Sequence, residues 1–250
     1  CLPRYRSMTY LDPTGAATLA QLGETLIPPN VRAALHADHR LLIVPDGMLH
    51  ALPWAALRVR DRWLCEQAVV QLIPGETFWR LLAERAPGGD AALLIGCRDV
   101  GERAPALPEA LTTLDLVAAR RAGVYVRLED ADASCRRLQD MAERGELRTY
   151  SLIHIAAHAQ LANSRGLLAH IKLHDDDLLY DDIVHLGLAG ALVVLAACEG
   201  ALGEVLPGDE VLSLSRAFLA AGARDVVAGL WQLYDAAVLA LLPRFYDFLG

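Results

Sequence analysis

Ser151-Leu-Ile-His-Ile-Ala-Ala-His158 and Ala191-Leu-Val-Val-Leu-Ala-Ala-Cys198 are two short apolar runs, each ending in one chemically reactive side chain. The second run is continuous rather than alternating, the pattern of a central strand covered on both faces. In an open parallel sheet, groups just past the carboxyl ends of neighbouring strands face one crevice, and the strands lie about 4.8 Å apart. A histidine and a cysteine delivered this way predict a thiol nucleophile with its base. Gly200 and Gly203 follow the cysteine, where a sharp turn after the strand would use glycine's freedom at positive φ. Taken singly, Cys198 reads as a buried apolar thiol and His158 as a strand-end histidine bonded to a carbonyl. Their joint placement favours the reactive pair.

Working outward, short runs rich in Val, Ile and Leu recur at 41–45, 68–73, 92–96, 124–128, 151–157, 191–197 and 225–230. Helical spacing fills 76–86, 108–122, 134–145, 179–186, 210–221 and 235–249, with Gly123, Gly145 and Gly222 placed to end helices. Strands alternating with helices predict an α/β fold, a doubly wound and mostly parallel sheet with helices on both faces. Residues 45–53 interrupt the pattern with turn chemistry, and with no internal repeat the economical expectation is one domain over 1–250.

Hydrophobic residues make up 54% of the 250, enough for a sizeable core. The net charge of −8 and the scattered arginines leave no footprint for nucleic acid. No apolar run reaches the roughly 20 residues of a membrane helix. The five cysteines are odd in number and widely spaced, which argues against a disulfide framework and a cysteine zinc site and for a reducing compartment, the cytoplasm.

Other polar constellations read as structure. His154 and His158 lie four apart on a strand, about 13 Å, too far to share a metal. His170, His174 and the run Asp175-Asp-Asp177 read as a solvated loop, so neither metal nor cofactor is expected. Asp235 opens the last helix, where a carboxylate meets free N–H groups and the helix dipole. Asp46 and Gly47 read as a turn, and Trp54 and Trp231 as core or pocket wall.

Val44-Pro-Asp-Gly-Met-Leu-His-Ala-Leu-Pro-Trp-Ala-Ala-Leu57, the 153–158 run, Leu192-Val-Val-Leu-Ala-Ala-Cys-Glu-Gly200, and Ala217-Phe-Leu-Ala-Ala-Gly-Ala-Arg-Asp-Val-Val-Ala-Gly-Leu-Trp231 followed by Asp235 together resemble the CHAT domain, a caspase-like module related to separase. The resemblance implies a caspase/hemoglobinase-type fold and a Cys–His peptidase dyad on Cys198 and His158. It also implies an oxyanion hole from the backbone N–H groups of Ala159 and Cys198, a protein or peptide substrate, and tetratricopeptide repeats upstream in a longer parent cut at both ends. In separase the aspartate of a comparable Trp-x-x-x-Asp motif is associated with a basic residue before the scissile bond, which assigns Asp235 to substrate binding after arginine. The chain departs from the pattern at Ala159, where the family usually has glycine, and at Ala201, where Thr or Ser-like residues are common. Two readings follow: a cysteine endopeptidase, or a catalytically inactive caspase-like interaction module.

Overall fold

The computed structural model describes residues 13–86, 88–121, 123–160, 169–196, 203–205, 211–229 and 235–249. Its contacts divide into two compact units, Cys1–Trp79 and Arg80–Gly250.

In the first unit, α1 (Pro13–Leu26) and α2 (Pro29–Ala34) precede β1 (Arg40–Ile43). The hairpin β2 (Arg58–Val59) and β3 (Arg62–Trp63) follows, and then β4 (Val69–Leu72), which pairs parallel with β1. The runs read at 41–45 and 68–73 are β1 and β4. The turn chemistry after β1 becomes a short 3-10 helix, Gly47–Ala51. The Trp54 ring is buried behind it, with Nε1 donating to the Leu49 carbonyl at 3.0 Å. Leu19, Leu52, Leu57, Val59 and Leu64 complete that core. The hairpin tip takes left-handed backbone at Arg60 (φ 52°) and Asp61 (φ 61°). Each such non-glycine residue costs about 1 kcal/mol or more.

The chain leaves this unit through α3 (Glu76–Ala83). In the second unit β5 (Ala91–Gly96), α4 (Glu109–Ala118), β6 (Tyr125–Glu129), α5 (Cys135–Glu143) and β7 (Tyr150–Ala156) alternate as the periodicity predicts. An antiparallel excursion follows, β8 (His158–Gln160), β9 (His170–Lys172) and β10 (Asp177–Leu179). Then come α6 (Tyr180–Val184), β11 (Leu192–Leu195), the pair β12 (Gly203–Val205) and β13 (Val211–Ser213), α7 (Leu214–Ala220), β14 (Asp225–Ala228) and α8 (Asp235–Leu249).

Five strands form one parallel sheet in the order β14-β11-β7-β5-β6. Successive side chains on a strand point to opposite faces. Leu93, Ile95, Ile153, Ile155, Val193 and Leu195 pack against α5, α6 and α7. Ala92, Leu94, Leu152, Ala156 and Val194 pack against α4 and α8. Helices on both faces of a parallel sheet are the doubly wound architecture that the sequence predicts.

Two expectations need correction. The 170–177 segment is not a solvated loop, because His170 is buried in β9 and Asp177 opens β10. Asp175 accepts from the backbone N–H groups of Cys135 (2.7 Å) and Arg136 (3.1 Å), capping α5 from a distant part of the chain. Burial works against its charge, yet those N–H groups hold the carboxyl below the usual carboxylate range. The helix read from 210 begins only at Leu214, since 211–213 pairs as β13, a short apolar run that periodicity cannot assign. At the end of α7, Gly222 is required twice over. Its φ is 114°, and a Cβ there would lie 1.8 Å from the Leu188 carbonyl oxygen.

Candidate active site

The two runs that opened the sequence reading lie side by side. β11 pairs parallel with β7 from Leu192 opposite Leu152 to Leu195 opposite Ile155, and the Ala196 N–H donates to the Ile155 carbonyl at 2.9 Å. β14 flanks β11 on the other side. Ala197, Cys198, Gly200 and Ala201 lie outside the described residues, as does Trp231; Gly203 opens β12 rather than a turn.

His158 stands where β7 ends at Ala156 and the chain bends at Ala157 into β8. The strands β5 and β7 are followed by connections to opposite faces, α4 on one and α6 on the other, so a crevice opens at their carboxyl ends. His158 sits at that edge, half-buried, with Nε2 2.7 Å from the carbonyl oxygen of Pro105 in the β5–α4 loop. A carbonyl only accepts, so Nε2–H donates, and in the neutral ring the unprotonated nitrogen is Nδ1. The histidine is therefore bonded to a carbonyl through Nε2–H, with Nδ1 as the unprotonated nitrogen of the neutral ring. The reading of His158 taken singly, a strand-end histidine bonded to a carbonyl, is what the structure shows.

The loop that presents Pro105 is itself held. Leu107 N–H donates to the Arg98 carbonyl at 2.7 Å. Arg103 pairs with Asp177 at 2.8 Å and donates to the His174 carbonyl at 2.9 Å and to that of Leu173. At the neighbouring strand ends Arg98 grips Asp130, and those hydrogen bonds hold the Asp130 carboxyl below its ordinary range. Pro105 was invisible in the sequence, since its contribution is a backbone carbonyl with no side-chain signature.

Ala159 lies in β8 opposite Ile171. Among the described non-glycine residues, left-handed backbone occurs at Arg60, Asp61 and Asp130. Alanine at 159 thus bears no left-handed strain. Asp235 opens α8, although its side chain lies outside what is described. A helix that follows a parallel strand and packs back on the sheet starts from the strands' carboxyl edge. The backbone of Asp235 therefore enters the fold from the edge that carries His158.

Four residues before His158, His154 is fully buried on the α4 and α8 face. Its Nδ1 lies 2.9 Å from Tyr246 Oη and its Nε2 3.3 Å from Thr113 Oγ1. Burial lowers its pKa from 6.5 to about 3 and raises that of the Tyr246 hydroxyl, so both are neutral. The unfolded chain binds a proton on this imidazole below pH 6.5 that the folded chain refuses down to about 3. Stability is therefore complete above that window and falls with pH inside it, by up to about 1.4 kcal/mol per pH unit. Thermal unfolding should occur about 4–8 °C lower near pH 5 than near pH 7 from this group alone. In a His154→Leu variant the difference between the two pH values should shrink by that amount; an unchanged difference would contradict the assignment.

A parallel sheet wound with helices on both faces, carrying a histidine just past the carboxyl end of its central strand, is consistent with a caspase-like fold. The chain belongs to the CHAT domain family, which matches residues 16–249, and is thereby a caspase-like, peptidase-related module. No curated protein matches it. No described helix is long and apolar enough to cross a membrane.

Proposed function

We propose that the chain is a cysteine endopeptidase in which Cys198 is the nucleophile and His158 its base and acid. The observation that carries this reading is the pairing of β11 with β7, which sets the run leading to Cys198 beside the run leading to His158. Two residues beyond Ala196 span at most about 7 Å, which keeps Cys198 within reach of the same crevice. The bond from Nε2–H to Pro105 supports the reading, because it orients the ring and leaves Nδ1 to exchange protons.

The thiolate attacks the scissile carbonyl carbon, a C–S bond forms, and the oxyanion is met by the N–H groups of Ala159 and Cys198. Collapse breaks the C–N bond as His158 gives the cysteine's proton to the leaving amine. Water then hydrolyses the thioester, with the imidazole taking its proton and returning it to the sulfur. Oxyanion donors of this kind are worth about 3–4 kcal/mol in the transition state. Asp235 selects arginine before the scissile bond, the planar guanidinium matching both carboxylate oxygens.

Two other thiols, Cys97 and Cys135, are poorly suited to the role. Burial pushes the Cys97 thiol up to about 11 and that of Cys135 up to about 12, so both stay protonated at neutral pH. Cys65, Cys97 and Cys135 are free, in keeping with a reducing compartment, and we place the protein in the cytoplasm with a protein substrate and a regulatory upstream repeat region. The test is hydrolysis of an internally quenched peptide holding one arginine by the intact protein, with cleavage on the carboxyl side of that arginine. Peptide binding without turnover would instead mark an interaction module.

A further inference from the structure

The buried trio Thr113, His154 and Tyr246 is a directed chain of hydrogen bonds. Thr113 has one hydroxyl hydrogen, and it goes to the Ala110 carbonyl at 2.7 Å. Thr113 Oγ1 must then accept from His154 Nε2–H. This leaves Nδ1 as the acceptor for the Tyr246 hydroxyl. Every nitrogen and hydroxyl in the trio is satisfied in one sense only, from Tyr246 through His154 and Thr113 to Ala110. The Tyr246 ring meets the imidazole edge-on, with centroids 5.8 Å apart at 72°.

Each member stands on a different element of the site. His154 is on β7, which ends at Ala156, two residues before His158. Thr113 is on α4, whose approach loop offers the Pro105 carbonyl to His158. Tyr246 is on α8, which opens at Asp235, about 16 Å along the helix axis. The strand runs toward the carboxyl edge of the sheet, and both helices start from it. The trio thus ties together, beneath the crevice, three arms that end at the three parts of the proposed site. The apolar packing of α4 and α8 in their shared core, which includes Leu114 and Leu242, would leave the helices free to slide by fractions of an ångström; directed bonds to a ring fixed on the central sheet do not.

We infer that Thr113, His154 and Tyr246 are positioning residues, His154 acting as the joint that sets α4 and α8 against the strand delivering His158. The inference rests on the peptidase reading for its kinetic consequence. In the intact protein, Tyr246→Phe leaves Nδ1 without its donor and should raise KM for the arginine peptide about tenfold while changing kcat by less than about threefold. Alkylation of Cys198 by iodoacetamide should keep its rate within about twofold, since no charge near the thiol changes.

Because an unpaired imidazole also destabilises, the double variant His154→Leu with Tyr246→Phe removes both partners and should recover the melting temperature but not KM. Recovery of KM along with stability would make the trio packing only and overturn the inference. Absence of peptide cleavage by the parent would defeat the peptidase reading, and the network is then judged by amide exchange. Tyr246→Phe should speed exchange about tenfold in the hydrogen-bonded turns beyond the first of both α4 and α8. Unchanged exchange in α4 would overturn the joint by itself.

Discussion

Cys198→Ala is expected to reduce hydrolysis of the arginine peptide by at least about 10³-fold, or about 4 kcal/mol of transition-state stabilisation. Without sulfur there is no acyl-enzyme, and the remaining oxyanion donors and binding contacts account for what residual rate persists. His158→Ala should lose a comparable factor, and the double variant little more, because nucleophile and base act as one unit. The melting temperature of Cys198→Ala should stay within about 2 °C of the parent, because a nucleophile that must reach substrate would contribute little packing. Steady-state hydrolysis and thermal unfolding on the three variants check both statements. Retained hydrolysis in Cys198→Ala would exclude the mechanism.

Asp235→Ala should depress cleavage after arginine by about 10²-fold or more, because a desolvated guanidinium would be left without its carboxylate. The loss should fall on arginine far more than on apolar residues at that position, and alkylation of Cys198 should not change. Lysine should replace arginine poorly, lacking the fork that spans two oxygens. kcat/KM over a set of peptides differing only at the residue before the scissile bond reads all of this. A parent that prefers an acidic residue there would leave Asp235 as a helix-opening carboxylate.

Much of the architecture was legible because it follows from periodicity. The runs at 92–96, 124–128, 151–157, 191–197 and 225–230 are the five strands of the main sheet to within a few residues. The largely apolar runs of the three inner strands β5, β7 and β11 reflect burial on both faces under two helix layers, whereas the edge strands β6 and β14 are partly exposed. The adjacency of β7 and β11 was likewise readable, since both lie in apolar runs that lead to reactive residues in the sequence.

What escaped depends on partners far away in the chain. Strand spacing separates His154 from His158 but says nothing of its partners. Its bonds to Thr113 and Tyr246, 41 and 92 residues away, exist only once the helices fold back on the sheet. The 170–177 segment looked like loop because its strands are three residues long and polar-flanked, and its Asp175 earns its place by capping a helix 40 residues earlier. Alanine at 159, where the family usually has glycine, sits in β8 without left-handed backbone, which the sequence could not show.

The most direct test of the central claim is to treat the intact protein with an arginyl acyloxymethyl ketone and map the adduct by peptide mass spectrometry. One adduct per chain on Cys198, lost in His158→Ala, with exposed Cys65 unlabelled, is the predicted result. Labelling spread over Cys65 and Cys198 alike, or unaffected by removal of His158, would contradict it.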